Sequence, residues 1–286
     1  MTAFLKMHGL GNDFAVFDGR QAALALDAGA AKAIADRRTG IGCDQVIVIG
    51  KANNADAVMR IFNADGSEVE SCGNAARCIG SLLLDETGKT LVRVDSLGGT
   101  MELRRESDLI TVDYGVPQTD WREIPMVQAV DTVDFALPLA GVGDAVLQHV
   151  AAAGIGNPHC IVFVPDAEAA AVTELGPRIE HHPWFPARTN VEFVERRSER
   201  QLRMRVWERG VGVTRACGTG ACASVVAAIR RGLTERKVDV VLDGGTLTIE
   251  WRDSDDHVLM TGPTALTYRG EVDIAALERA QFRPTP

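Results

Sequence analysis

Two cysteines of this 286-residue chain sit in closely similar settings, Ser71-Cys72-Gly73-Asn74-Ala75-Ala76 and Ala216-Cys217-Gly218-Thr219-Gly220-Ala221. Each precedes a run of small residues that reads as the first turn of a helix. A thiol at a helix N-terminus is a setting that lowers a cysteine pKa, because the unpaired N–H groups carry partial positive charge. A glycine directly after each sulfur removes side-chain bulk, so that a ligand can approach the backbone closely. The exposed N–H groups can also hold a carboxylate. Two thiols flanking one carbon that bears a carboxylate suit racemisation or epimerisation. One thiolate removes the α-proton, and the other thiol delivers a proton to the opposite face.

The remaining chemistry-bearing residues follow one register. Cys72 and Cys217 lie 145 positions apart, and the same offset superposes other blocks. Gly9-Leu10-Gly11-Asn12 falls on Gly154-Ile155-Gly156-Asn157. Asp44-Gln45-Val46 falls on Thr189-Asn190-Val191, and Arg60-Ile61-Phe62-Asn63 on Arg205-Val206-Trp207-Glu208. The chain therefore reads as two halves of one ancestral unit, with too long a period for a solenoid. Asn12, Gln45, Asn63, Asn157 and Asn190 form a set of neutral amides suited to a polar zwitterionic ligand. Glu208-Arg209 adds opposite charges in the second half, and His159 lies two residues from Asn157.

Among the other cysteines, Cys78 and Cys222 fall inside the helices, Cys43 follows a glycine, and Cys160 starts a strand. No Cys or His pair has zinc-ligand spacing such as C-x2-C, so no metal site is expected. Neither Gly9-Leu10-Gly11 nor Gly218-Thr219-Gly220 completes a nucleotide-binding fingerprint, and no cofactor is expected.

The elements that must position these residues alternate along the chain. Strands are expected at 14–17, 46–49, 58–62, 91–94, 101–104 and 109–113 in the first half. In the second half they are expected at 160–164, 191–194, 202–207, 238–242, 247–251 and 258–260. Helices are expected at 22–37, 72–84, 167–175 and 217–230, those after the two cysteines being apolar on most faces and hence buried. Each half is thus an α+β unit in which curved strands cover one apolar helix. The boundary is expected near Pro117–Pro125. The first domain would comprise 1–117 plus 263–286, the second 118–262, with the C-terminal tail returning to the first half.

Composition bounds the function class. Apolar residues make up 46% and charged residues 24%, enough for a large core. A net charge of −9 with no basic run argues against nucleic acid as partner. No apolar run approaches the ~20 residues of a membrane span. Met1–Gly9 lacks the apolar core of a signal peptide. A cytoplasmic enzyme with reduced thiols, acting on a small molecule, is the expectation.

Together, Met7-His8-Gly9-Leu10-Gly11-Asn12-Asp13-Phe14, Asn63-Ala64-Asp65-Gly66-Ser67-Glu68, Cys72 through Cys78, Gly156-Asn157-Pro158-His159 and the stretch from Glu208-Arg209-Gly210 to Gly220 resemble diaminopimelate epimerase. The resemblance covers nearly the whole chain. It implies an α/β (α+β) fold of two pseudo-symmetric domains, each a mixed or antiparallel strand barrel around a central helix, with the active site in the interdomain cleft. It implies cofactor-independent conversion of L,L-diaminopimelate to the meso form, a step of lysine and peptidoglycan synthesis. Cys72 and Cys217 would be the acid/base pair, assisted by His159 and Glu208. Gly73, Asn74, Gly218 and Thr219 would hold the reacting carboxylate. Asn12, Gln45, Asn63, Asn157, Asn190, Glu208 and Arg209 would bind substrate, and Tyr268 matches a position in a homodimer contact. Cys43 stands where the family often has Ala. A proline or hydroxyproline epimerase of the same fold is the nearest competing reading. A thiol redox or metal-binding protein is a remote one.

Overall fold

The structure, a computed structural model, describes residues 1–22, 24–139 and 146–281. Its chain divides into two units, Met1–Val112 with Gly262–Pro286, and Asp113–Thr261. The division falls at residue 112, ahead of the Pro117–Pro125 stretch.

In the first unit, β1 (Thr2–Gly9) and β2 (Asn12–Asp18) form a hairpin through Leu10-Gly11, both at positive φ. Then follow α1 (Ala28–Ala35), β3 (Gln45–Gly50), β4 (Ala57–Asn63), β5 (Glu68–Val69), α2 (Gly73–Thr87), β6 (Leu91–Ser96), β7 (Gly99–Glu106) and β8 (Leu109–Asp113). β2 and β3 run parallel, whereas β3 and β4, and β6 and β7, pair antiparallel. Ala75, Ala76, Cys78, Ile79 and Leu83 of α2 are buried, and the helix packs on β1, β6 and β7.

The second unit holds β9 (Phe135–Pro138), β10 (Val146–Gly154), β11 (Pro158–Phe163), α3 (Val172–Glu180), β12 (Asn190–Ser198), β13 (Gln201–Glu208) and β14 (Gly212–Val213). It continues with α4 (Gly218–Arg230), β15 (Lys237–Leu242), β16 (Gly245–Trp251) and β17 (Val258–Gly262). Every residue of α4 from Gly220 to Ala228 is buried, and the helix packs against β10, β11, β12, β13, β15 and β16. A helix this apolar needs cover on all sides, and surrounding strands supply it.

The chain ends with β18 (Ala265–Val272), antiparallel to β1, and α5 (Ile274–Gln281), which packs on α1. The chain after residue 262 thus takes the form of a strand and a helix. The tail residues 282–286 lie outside the described residues.

The internal repeat is visible in the elements themselves. Adding 145 to the bounds of β1, β2, β3, β4, α1, α2, β6 and β7 lands on β10, β11, β12, β13, α3, α4, β15 and β16 within a few residues. The parallel pairing Phe14↔Gln45 maps onto His159↔Asn190, so register is repeated as well as order.

Two helices differ from expectation. The helix expected at 22–37 is the shorter α1, because Asp27 caps it: Ala30 N–H donates to Asp27 Oδ1 at 2.9 Å. Ala23, inside the expected span, lies outside the described residues. The helix expected at 167–175 is α3, which runs through Gly176-Pro177. Those residues normally break a helix. Here Gly176 lies under the Trp207 ring, where a Cβ would come within 2.5 Å of Cγ. Tertiary packing of α3 on β13 outweighs the local propensity.

Candidate active site

Cys72 and Cys217 are the N-cap residues of α2 and α4, both in extended conformation with φ −148° and −110°. The duplicated Cys-Gly sequence therefore ends a loop and opens a buried helix in each unit.

In the first unit, the Cys72 thiol donates to Asn12 Oδ1 at 3.7 Å, and Asn74 Nδ2 donates to the same oxygen at 3.1 Å. Asn12 Nδ2 donates to Asp44 Oδ2 at 3.0 Å, and Arg77 Nη2 donates to Asn74 Oδ1 at 2.8 Å. Gln45 Nε2 donates to Asn63 Oδ1 at 3.0 Å, across the β3–β4 pair, and Asn63 Nδ2 donates to Ser67 Oγ. Gln45 Oε1 is buried with no hydrogen-bond partner among the described residues, leaving an acceptor for a ligand donor. Cys72, Asn12 and Asn74 form one hydrogen-bonded group. Gln45 and Asn63 form a second.

In the second unit, Gly220 N–H donates to Cys217 Sγ at 3.4 Å, and Thr219 Oγ1 lies 3.6 Å from it. His159 Nδ1 is 2.7 Å from Glu192 Oε1, and His159 Nε2 is 2.8 Å from Asn157 Oδ1. Asn190 Nδ2 donates to Pro158 O, and its Oδ1 accepts from Arg209 N–H at 2.9 Å. Arg209 Nη1 donates to Ala187 O, and Thr214 Oγ1 donates to Glu208 Oε1. These bonds hold the segment after β13, so that Glu208 and Arg209 stand at its start.

The expected lowering of a thiol pKa is reversed at Cys217. Burial pushes this thiol well above the ordinary value, and the carboxylates of Glu208 and Glu192 push it further. The bonds from Thr219 and Gly220 pull the other way without prevailing. The reason is one of scale: a helix terminus contributes about 0.3–1 kcal/mol, whereas full burial can move a pKa by roughly 3–5 units. Cys217 is held as a thiol.

Cys43 and Cys78 are pushed up by burial to about 11 and about 12, and Cys160 well above its ordinary value. These thiols are core side chains. Among the described residues no group of His, Cys, Asp and Glu is placed to hold a metal, and no helix is long and apolar enough to cross a membrane. Tyr268 sits on β18 opposite Lys6, 45% exposed, with its ring edge-on to Phe4.

Three acidic residues join the site that sequence reading did not select. Asp44 holds Asn12. Glu192, fully buried on β12, holds His159, and the space a Cβ on Gly220 would fill lies 2.6 Å from its Oε1. Glu180 accepts from Trp207 Nε1 at 2.7 Å and from Gly210 N–H at 2.9 Å. Glu192 left a trace in the sequence: it interrupts the apolar strand Val191–Val194 and falls on Ile47 in the other half.

The family described as diaminopimelate epimerase matches residues 4–119 and 151–267. The chain is 49% identical over 286 residues to the diaminopimelate epimerase of Rhodospirillum centenum, covering 99% of this chain and 96% of that one. It is 52% identical over 273 residues to that of Erythrobacter litoralis, covering 95% and 97%. In fold it is similar to a probable proline racemase from Agrobacterium radiobacter K84, with a TM-score of 0.68 and 14% identity over 96% of this chain and 93% of that one. It is also similar in fold to a hydroxyproline epimerase from Agrobacterium vitis, with a TM-score of 0.66 and 17% identity over 94% and 91%.

Proposed function

The chain belongs to the diaminopimelate epimerase family, and from that membership we propose that it interconverts L,L- and meso-diaminopimelate without a cofactor, using Cys72 and Cys217 as an acid/base pair. The observation that carries the reading is the repeated placement of a thiol as the N-cap of a buried helix, with glycine as the next residue, in both units.

In the reaction one sulfur, as thiolate, takes the α-proton, and the other, as thiol, supplies a proton to the opposite face. The proton count is unchanged, and the two sulfurs exchange protonation states. Backbone N–H groups at Gly73-Asn74 and Gly218-Thr219 hold the reacting carboxylate and stabilise the charge that develops on it. His159 and Glu208 assist the thiols, and the Glu208 charge is felt at Cys217. Asn12, Asn63, Asn157, Asn190 and Arg209 bind the substrate, with Gln45 Oε1 as an acceptor for an ammonium group. We assign the enzyme to the cytoplasm, to lysine and peptidoglycan synthesis, and to a homodimer in which Tyr268 makes contact.

The test is an assay of the purified chain on L,L-diaminopimelate and on L-proline. Turnover of the first and not of the second is expected. Faster turnover of proline would overturn the substrate assignment.

A further inference from the structure

The side chain of Asn12 can present its oxygen or its nitrogen to Cys72, and two charged residues decide which. On the strand side, Asp44 Oδ2 accepts from Asn12 Nδ2 at 3.0 Å and from Asp13 N–H at 3.1 Å. Asp44 is itself held by Arg37, whose Nη2 donates to its Oδ1 at 2.7 Å. On the helix side, Arg77 orients Asn74, whose Nδ2 then needs an acceptor. With Asp44 an acceptor and Asn74 Nδ2 a donor, Asn12 has one favourable orientation, its Oδ1 toward Asn74 and Cys72. A flip would set Asn12 Oδ1 against the Asp44 carboxylate and its Nδ2 against the Asn74 amide.

We infer that Asp44 is a positioning residue: it fixes the Asn12 amide so that Cys72 always faces an acceptor, which favours the protonated thiol over the thiolate in the absence of substrate. A thiolate would face the Asn12 oxygen with no proton between them. The titratable and charged groups around the pair are Asp44, Asp13, Arg37 and Lys6 on the strand side, His8 beside Gly11, and Arg77 and Cys78 on the helix side. Of these, Asp44 is the carboxylate bonded to the Asn12 side chain. The inference rests on Cys72 being one of the two acid/base thiols. It implies that the resting enzyme holds Cys72 protonated, and that the thiolate forms, its proton passing to solvent, only once a substrate carboxylate and ammonium rearrange the amides.

The test is the rate of Cys72 alkylation by iodoacetamide as a function of pH, resolved by mass spectrometry of the Cys72 peptide, in the intact protein without substrate. In Asp44→Ala the rate near pH 7 should rise about three- to tenfold, the worth of one hydrogen bond. The rise should persist in about 0.5 M salt, where an exposed charge acting at a distance is screened. Asp44→Asn keeps an acceptor oxygen and should lie between the two. An unchanged rate would overturn the inference, and so would a rise abolished by salt. The readout needs no diaminopimelate. A wild-type protein that failed to epimerise the substrate would count against the function and leave the Asp44 result standing.

Discussion

Glu192 Oε1 lies 2.7 Å from His159 Nδ1, and neither side chain reaches solvent. Both positions are apolar in the first half, where Phe14 and Ile47 occupy the matching places. The pair is thus particular to one unit, next to its thiol. A Cβ on Gly220, in the first turn of α4, would lie 2.6 Å from Glu192 Oε1 and 3.2 Å from Cys217 Sγ. Burying such a pair is costly unless both partners are present.

Replacing Glu192 tests what the pair does. Glu192→Gln keeps an acceptor for His159 and removes a charge that raises the Cys217 pKa. Alkylation of Cys217 should shift to lower pH, and kcat should fall about a hundredfold, the lower end of a general acid/base contribution, with KM little changed. Glu192→Ala should also cost about 1–3 kcal/mol in denaturant unfolding, because the buried His159 ring loses a hydrogen-bond partner. A Gln variant with wild-type kcat and an unmoved alkylation profile would show that the pair is only structural.

Glu180 carries a different expectation. Its carboxylate ties α3 to Trp207 and to Gly210 N–H, and Arg188 Nη1 lies 3.2 Å from it. It therefore secures the segment that bears Glu208 and Arg209. In Glu180→Ala, two N–H groups lose their acceptor at about 1–3 kcal/mol. We expect kcat/KM for diaminopimelate to fall at least about tenfold, chiefly through KM, if Arg209 binds the substrate as proposed. A fall confined to kcat would contradict that division of labour.

The core thiols predict an alkaline loss of stability. Burial raises Cys43 to about 11 and Cys78 to about 12, from an ordinary value of 9.0. Above pH ~9 the unfolded chain sheds these protons while the folded chain keeps them. Their contribution is therefore complete below that pH. It falls as pH rises toward 11, by roughly 1.4 kcal/mol per pH unit for each thiol. Urea unfolding under reducing conditions should show the decline, and Cys43→Ala should make it shallower. A flat profile between pH 9 and 11 would refute the assignment of these thiols to the core.

Much of this was legible in the residues. The Cys-Gly pairs marked two helix starts, because small residues after a cap leave few alternatives to an apolar helix. The 145-residue offset anticipated the repeated strands, because one hydrophobic pattern serves both units. What stayed hidden depended on contacts distant in sequence. Propensity stops α3 at Gly176-Pro177, and only the Trp207 ring explains why it continues. At Cys217 burial, which is set by tertiary packing, outweighs the helix terminus that would lower an exposed thiol. The roles of Asp44 and Glu180 rest on partners distant in sequence, Asn12 and Trp207.

The central claim, one thiol for each face of the α-carbon, is tested most directly by isotope exchange. L,L-diaminopimelate is incubated with the enzyme in D2O, and substrate and product are recovered at low conversion. The donor thiol exchanges with solvent, whereas the acceptor sulfur takes the substrate's own proton. The meso product should therefore carry deuterium at the inverted carbon while recovered L,L substrate remains unlabelled. Deuterium in recovered substrate at the rate of product formation, or product that retains the original proton, would show a single base at work and contradict the account.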